Sequence, residues 1–114
     1  MTDHEVIVVL NSSRFGQGNP HLGEKLMSAF LASLNASSNK PTSILLFNTA
    51  IVLSTTQSPV WEELDKLAQA GIDILVNEES MEFYALNSIQ KVGRLVSMEE
   101  MSEKMLNASL IVKP

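Results

Sequence analysis

The chain's first apolar run is five residues long, Val6-Ile7-Val8-Val9-Leu10, and three similar short runs follow: Ile44-Leu45-Leu46-Phe47, Ile72-Asp73-Ile74-Leu75-Val76 and Leu110-Ile111-Val112. A strand with one wet face alternates apolar and polar residues; a strand covered on both faces does not. Three of the four runs are nearly continuous, so they read as strands of a parallel sheet with helices on both sides. Arg94-Leu95-Val96 is a weaker fifth candidate.

Segments of helical period separate these runs. Leu22, Leu26, Phe30 and Leu34 recur at spacing four, with Met27 and Leu31 widening the stripe. Asn19 is placed to cap this helix and Pro20 to occupy its first position. Ser58-Pro59 repeats the cap-then-proline signal ahead of Trp61, Leu64, Leu67 and Ala68, and Gly71 ends that segment. Ser97 and Glu100 form a capping-box pair before Met98, Met101, Met105 and Leu106, methionines expected in the core. A short helix is expected from Met81 to Ile89, with Ser80 as its N-cap and Glu82 favoured in its first turn. Asn35 to Thr42 is a polar loop. Alternation of strand and helix predicts an α/β three-layer sandwich with a mainly parallel five-stranded sheet and right-handed crossovers, built as one domain spanning residues 1–114.

Charge narrows the function classes. The 114 residues carry 13 acidic and 8 basic side chains, a formal net charge of -5. That balance gives no electrostatic footprint for nucleic acid or an anionic membrane. No apolar run exceeds five residues, so a membrane span is not expected and a cytoplasmic location is. Charged residues make up 18% of the chain, below the usual ~25%, which points to apolar surface covered by self-association. Asn48 to Ser54 holds four consecutive apolar residues, Ala50 to Leu53, expected to be buried, against a partner chain in one reading. With no cysteine in the sequence, disulfides, thiolate metal sites and thiol nucleophiles are excluded.

In open parallel sheets ligands bind beyond the carboxyl ends of the strands. After the first run comes Asn11-Ser12-Ser13-Arg14-Phe15-Gly16-Gln17-Gly18, rich in small hydrogen-bonding groups. Two readings stay open: a long turn whose glycines supply φ > 0, and a loop that holds an anion through free N–H groups, the Arg14 guanidinium and a helix N-terminus. Neither nucleotide signature is met: His21 stands where G-x-G-x-x-G needs its last glycine, and Glu24 follows Gly23 where a P-loop needs lysine. No cofactor is expected. His4 and His21, the only histidines, lack a third ligand nearby, so no metal site is expected. The third run leads into Asn77-Glu78-Glu79-Ser80, but a nucleophilic Ser80 needs a held base that these flanks do not supply. Tyr84, the sole tyrosine, is expected in the core or an interface, with a pocket position as the alternative. The ligand-binding candidates are therefore Asn11, Ser12, Ser13, Arg14, Gly16, Gly18, Asn48, Glu79, Ser80 and Tyr84.

Several of these segments together resemble one family. Val6 to Ser13, Gly16-Gln17-Gly18, Leu22 to Met27, Ile44 to Asn48, Gly71 to Leu75 and Phe83-Tyr84-Ala85-Leu86 occur in the order and at the separations of the DsrE/DsrF-like proteins. The pattern is most similar to the C-terminal domain of YedF-type proteins associated with selenium metabolism. The resemblance implies a parallel five-stranded α/β sandwich, self-association as dimer, trimer or hexamer, a sulfur-relay protein partner, and sulfur carried as a cysteine persulfide. It also sets Asn77 and Ser80 at the family's two cysteine positions. A serine oxygen cannot form a persulfide, and neighbouring carboxylates repel anionic sulfur. The expectation is a non-catalytic binding or assembly module; the alternative is an enzyme or sensor that takes a small polar or anionic ligand at the ends of the first three strands.

Overall fold

A computed structural model describes residues 5–114. Five strands form one parallel sheet: β1 (Val6–Leu10), β2 (Ser43–Leu46), β3 (Asp73–Asn77), β4 (Arg94–Val96) and β5 (Leu110–Val112), in the order β4-β3-β2-β1-β5. Four helices connect them: α1 (Pro20–Ala36), α2 (Trp61–Gln69), α3 (Glu78–Tyr84) and α4 (Met98–Leu106), with 3₁₀ turns at Asn48–Ser54 and Asn87–Ile89. The expected three-layer α/β sandwich is what forms.

Strand order assigns the helices to faces. Steps from β1 to β4 run in one direction and the step to β5 reverses, so right-handed crossovers put α4 opposite the other helices. Two cores result. Val8, Leu10, Ile44, Leu46, Ile74 and Val76 meet Met27 and Leu31 of α1, Leu64 and Leu67 of α2, and Met81 of α3. Ile7, Val9, Leu45 and Leu75, the alternate residues of the same strands, meet Met101 of α4. Burial on both faces is why these runs carry no polar alternation.

Asn19 caps α1 through its side-chain oxygen, which accepts from the Leu22 N–H, and Pro20 is the first helical residue. Of the expected stripe on α1, Met27 and Leu31 are buried beside Gly23, and Phe30 and Leu34 pack against the core, while Leu22 is 54% and Leu26 42% exposed. A fourfold ladder fixes which residues share a face but not which face meets the sheet. Ser58 does not cap α2, which starts at Trp61 with no side-chain cap; the Ser58 hydroxyl accepts from Val60 N–H in the preceding turn. Ser97 caps α4, but Glu100 completes no capping box and accepts from Arg94 instead. β5 is a further correction, because all three of its residues are exposed at the sheet edge.

At the opposite end of the strands from the candidate site, Arg94 grips the Asp73 carboxylate through Nε at 3.0 Å and Nη2 at 2.9 Å. The Arg94 hydrogen bonds, reinforced by its charge and that of Lys104, outweigh partial burial and hold the Asp73 carboxyl below the usual carboxylate range. A lowered native pKa means that the unfolded chain takes up the proton first as the medium acidifies. The contribution is therefore complete above about pH 4 and is lost as pH falls through the native pKa. Asp73→Asn should make the urea midpoint less dependent on pH between about 4.5 and 2, with little pH-dependent difference at higher pH; since both groups are partly exposed, the effect is modest.

Candidate functional site

The carboxyl ends of β2 and β3 carry a connected set of polar side chains. β3 passes into α3 without a loop because Asn77 serves as both the last strand residue and the helix N-cap. Its Oδ1 accepts from the Ser80 N–H at 2.8 Å and from the Ser80 hydroxyl at 2.7 Å. The cap is thus Asn77 rather than Ser80. Both residue types cap well, and the sequence placed the start three residues late.

Ser80 also receives a bond. Its Oγ accepts from the Asn48 backbone N–H at 2.8 Å, joining the segment after β2 to α3. Asn48 has φ of 52°, a left-handed conformation that asparagine tolerates better than most residues. That geometry places its side chain so that Oδ1 accepts from the Tyr84 hydroxyl at 2.6 Å. Asn77 Nδ2 donates to Glu79 Oε1 at 2.8 Å and contacts the Met101 sulfur at 3.7 Å across the sheet end. The chain of bonds therefore runs Tyr84, Asn48, Ser80, Asn77, Glu79. Within it the Ser80 proton goes to an amide carbonyl, and no partner of the hydroxyl is a base.

Asn48, Glu79, Ser80, Phe83 and Tyr84 line an open depression of about 410 Å³. Phe83 is 81% exposed and meets the Tyr84 ring edge-on, with centroids 5.1 Å apart. Phe83 is not among the candidates named from the sequence. The signal was there: it lies two positions after buried Met81, about 200° around the helix, so it cannot share the core face. Tyr84, expected in the core or an interface, stands at this depression with 38% exposure.

The remaining candidates lie apart. Ser13 reaches the region through its N–H, which donates to Thr49 Oγ1 at 3.3 Å, and Ser12 Oγ accepts from the Arg14 N–H. Arg14 turns to Glu24 at 3.8 Å, and among the described residues no ion pair or hydrogen bond joins its guanidinium to the Ser80 cluster. Asn11 is exposed at the end of β1. Gly16 and Gly18 have φ of 80° and 125°, the left-handed region that glycine adopts without a Cβ penalty. Gly23 explains its path: a Cβ there would lie 2.9 Å from Arg14 Cβ, so the loop folds tightly over α1, with Phe15 N–H donating to Gly23 carbonyl. A separate cavity of about 430 Å³, which the sequence did not foreshadow, lies between α1, the 3₁₀ turn and the start of α2, floored by Met27, Leu53 and Val60. His21 is exposed on α1, and His4 lies outside the described residues. No trio of acidic, histidine or cysteine side chains is gathered as a metal would need among the described residues. No helix there is long and apolar enough to cross a membrane.

Three of the four apolar residues Ala50–Leu53 are buried, and within the chain itself. Ala50 and Ile51 are fully enclosed and Leu53 nearly so, as part of the core under α2. Val52 alone of the four is half-buried, at the rim of the cavity beside α1.

Along its length the chain superposes on the ychN protein from E. coli with a TM-score of 0.73, covering 98% of this chain and 100% of that one at 12% identity. The fold is DsrE-like. A second similar structure, a conserved protein of unknown function, BT1422, from Bacteroides thetaiotaomicron, gives a TM-score of 0.63 at 19% identity, covering 96% and 95% of the two chains. No protein-family model and no curated protein matches the chain. Identities this low carry the DsrE-like architecture and nothing finer. The sheet order has its reversal between β1 and β5, where ligands of open α/β sheets usually sit, whereas the polar network here stands between β2 and β3.

Ala85, directly after Tyr84, ends α3 in the left-handed conformation at φ 56°. Glycine adopts that conformation without the Cβ penalty. Ala85→Gly should therefore stabilise the protein by about 0.5–1 kcal/mol, read as a rise of a few degrees in thermal midpoint.

Proposed function

We propose that this chain is a non-catalytic binding or assembly module on a DsrE-like scaffold, whose working face is the strand-end depression around Asn48, Ser80 and Tyr84. One observation carries this reading. The oxygen of Ser80, one of the two positions where the family resemblance expects a sulfur-carrying cysteine, is held by an acceptor bond from Asn48 N–H and a donor bond to Asn77 Oδ1. A nucleophilic serine needs its proton taken by a base, and here it is taken by an amide. The other such position, Asn77, is buried and spends its side chain capping α3. Both are structural parts of the face, which leaves recognition as its use.

The YedF-like likeness, with a sulfur-relay protein as the partner and the cytoplasm as the setting, belongs to this reading. So does self-association, for which the exposed β5 edge with Leu110, Ile111 and Val112, near the end of α4 with Leu106, is the fitting surface. An anionic ligand fits the depression less well, because Glu79 lines it and Arg14 is engaged elsewhere.

The test is chemical. A labelled persulfide donor should leave no reductant-releasable sulfur on the protein, and activated esters should hydrolyse no faster with the wild type than with Ser80→Ala. Covalent label, or esterase activity lost in that variant, would overturn the proposal.

A further inference from the structure

Three observations meet on α3. Phe83 projects into solvent, braced edge-on by Tyr84, whose hydroxyl is tied to Asn48. Exposed aromatic side chains fixed by their neighbours bind with little loss of conformational entropy, and their ring faces attract cations. Around them the charge has one sign. Glu78, Glu79 and Glu82 are exposed on α3, no Lys, Arg or His occurs between Leu67 and Gln90, and the segment from Pro41 to Val60 carries no charge. The aromatic pair therefore stands in an acidic field that no cation of the neighbouring sequence offsets.

We infer that the Phe83–Tyr84 face docks a segment of a partner protein that presents a lysine or arginine beside an apolar side chain. This rests on the binding-module reading and names the chemistry of its partner. The cation packs against the aromatic rings with Glu79 and Glu82 as counter-charges, and the apolar neighbour covers Phe83. Asn48 supplies the polar end: its Oδ1 is occupied by Tyr84, while its side-chain N–H groups make no bond among the described residues and can donate to a main-chain carbonyl of the docked segment. An acidic segment meets three like charges and is rejected, so the same residues set specificity.

The probe is the peptide acetyl-Gly-Leu-Arg-Leu-Gly-amide, titrated into the labelled protein and followed by amide and aromatic chemical shifts. Shifts should cluster at Asn48, Glu79, Phe83 and Tyr84, weaken with added salt, and be absent with the peptide in which glutamate replaces arginine. Phe83→Ala and Glu79→Gln should each weaken binding about three- to fivefold while leaving the thermal midpoint near the wild-type value, since Phe83 is exposed and a glutamine at 79 keeps an oxygen to accept from Asn77 Nδ2. No shifts at about 5 mM peptide, equal binding of the glutamate peptide, shifts centred elsewhere, or equally tight binding of arginine methyl ester alone would each overturn the inference. Failure here leaves the module reading standing, whereas sulfur uptake or esterase activity would remove that reading first.

Discussion

Ile51→Asp is expected to unfold the protein rather than to dissociate an assembly. Ile51 is completely enclosed between the sheet and α2, within a 3₁₀ turn that the sequence presents as an apolar loop. An aspartate there either remains charged without a partner or takes up a proton and loses its hydration, and either course costs several kcal/mol. Losses of about 4–5 kcal/mol are close to the whole stability of a small domain. Urea unfolding should show a collapsed or absent cooperative transition, together with loss of far-ultraviolet helix signal. Ile51→Val, which only removes a methylene, should cost about 0.5–1.5 kcal/mol and leave the fold intact. A folded, smaller species from Ile51→Asp would instead return the segment to the subunit interface that the sequence suggested.

Gly93→Ala carries the second large effect. Gly93 has φ of +90° and lies where the chain turns into β4 against β3. A Cβ at that position would stand 2.7 Å from Val76 Cγ2 and 3.1 Å from both Ile74 Cγ2 and the Ile74 carbonyl oxygen. Two penalties therefore add: left-handed backbone for a residue with a Cβ, and overpacking against the middle of the sheet. Together they amount to about 2–4 kcal/mol, measurable as a lower urea midpoint. Val76→Ala removes the nearest obstacle, so the double variant should be destabilised by less than the sum of the two single changes. Strict additivity would show that the clash contributes nothing and that the backbone conformation alone explains the loss.

Both residues mark the limit of what pattern can show. Gly93 is one glycine among five in the sequence, and only the approach of Val76 makes it indispensable. Ala50 to Leu53 is legible as buried, but burial by one's own helix and burial by another subunit leave the same apolar signature. The helix stripe of α1 has the same ambiguity: Leu22 and Leu26 are as apolar as Met27 and Leu31, and the sheet's position chooses between them. Asn77 and Ser80 are both good caps three residues apart, so the start of α3 depends on where β3 stops. Phe83, by contrast, was readable from its offset to Met81.

The candidate site divides in the same way. The sequence determined that polar groups follow each strand, that no cysteine is present for sulfur chemistry, and that glutamates crowd the start of α3. It determined the layered α/β class too, because strands buried on both faces must be apolar throughout and the helices between them must repeat every 3.6 residues. Only the tertiary structure decided that Asn48 meets Ser80 across 32 residues of chain, and that Arg14 goes to Glu24 instead of to this face. Periodicity is local information, set by the backbone's own geometry. Which polar groups find one another depends on strand order, and on the free-energy cost of leaving a backbone N–H such as that of Asn48 unpaired at the sheet end.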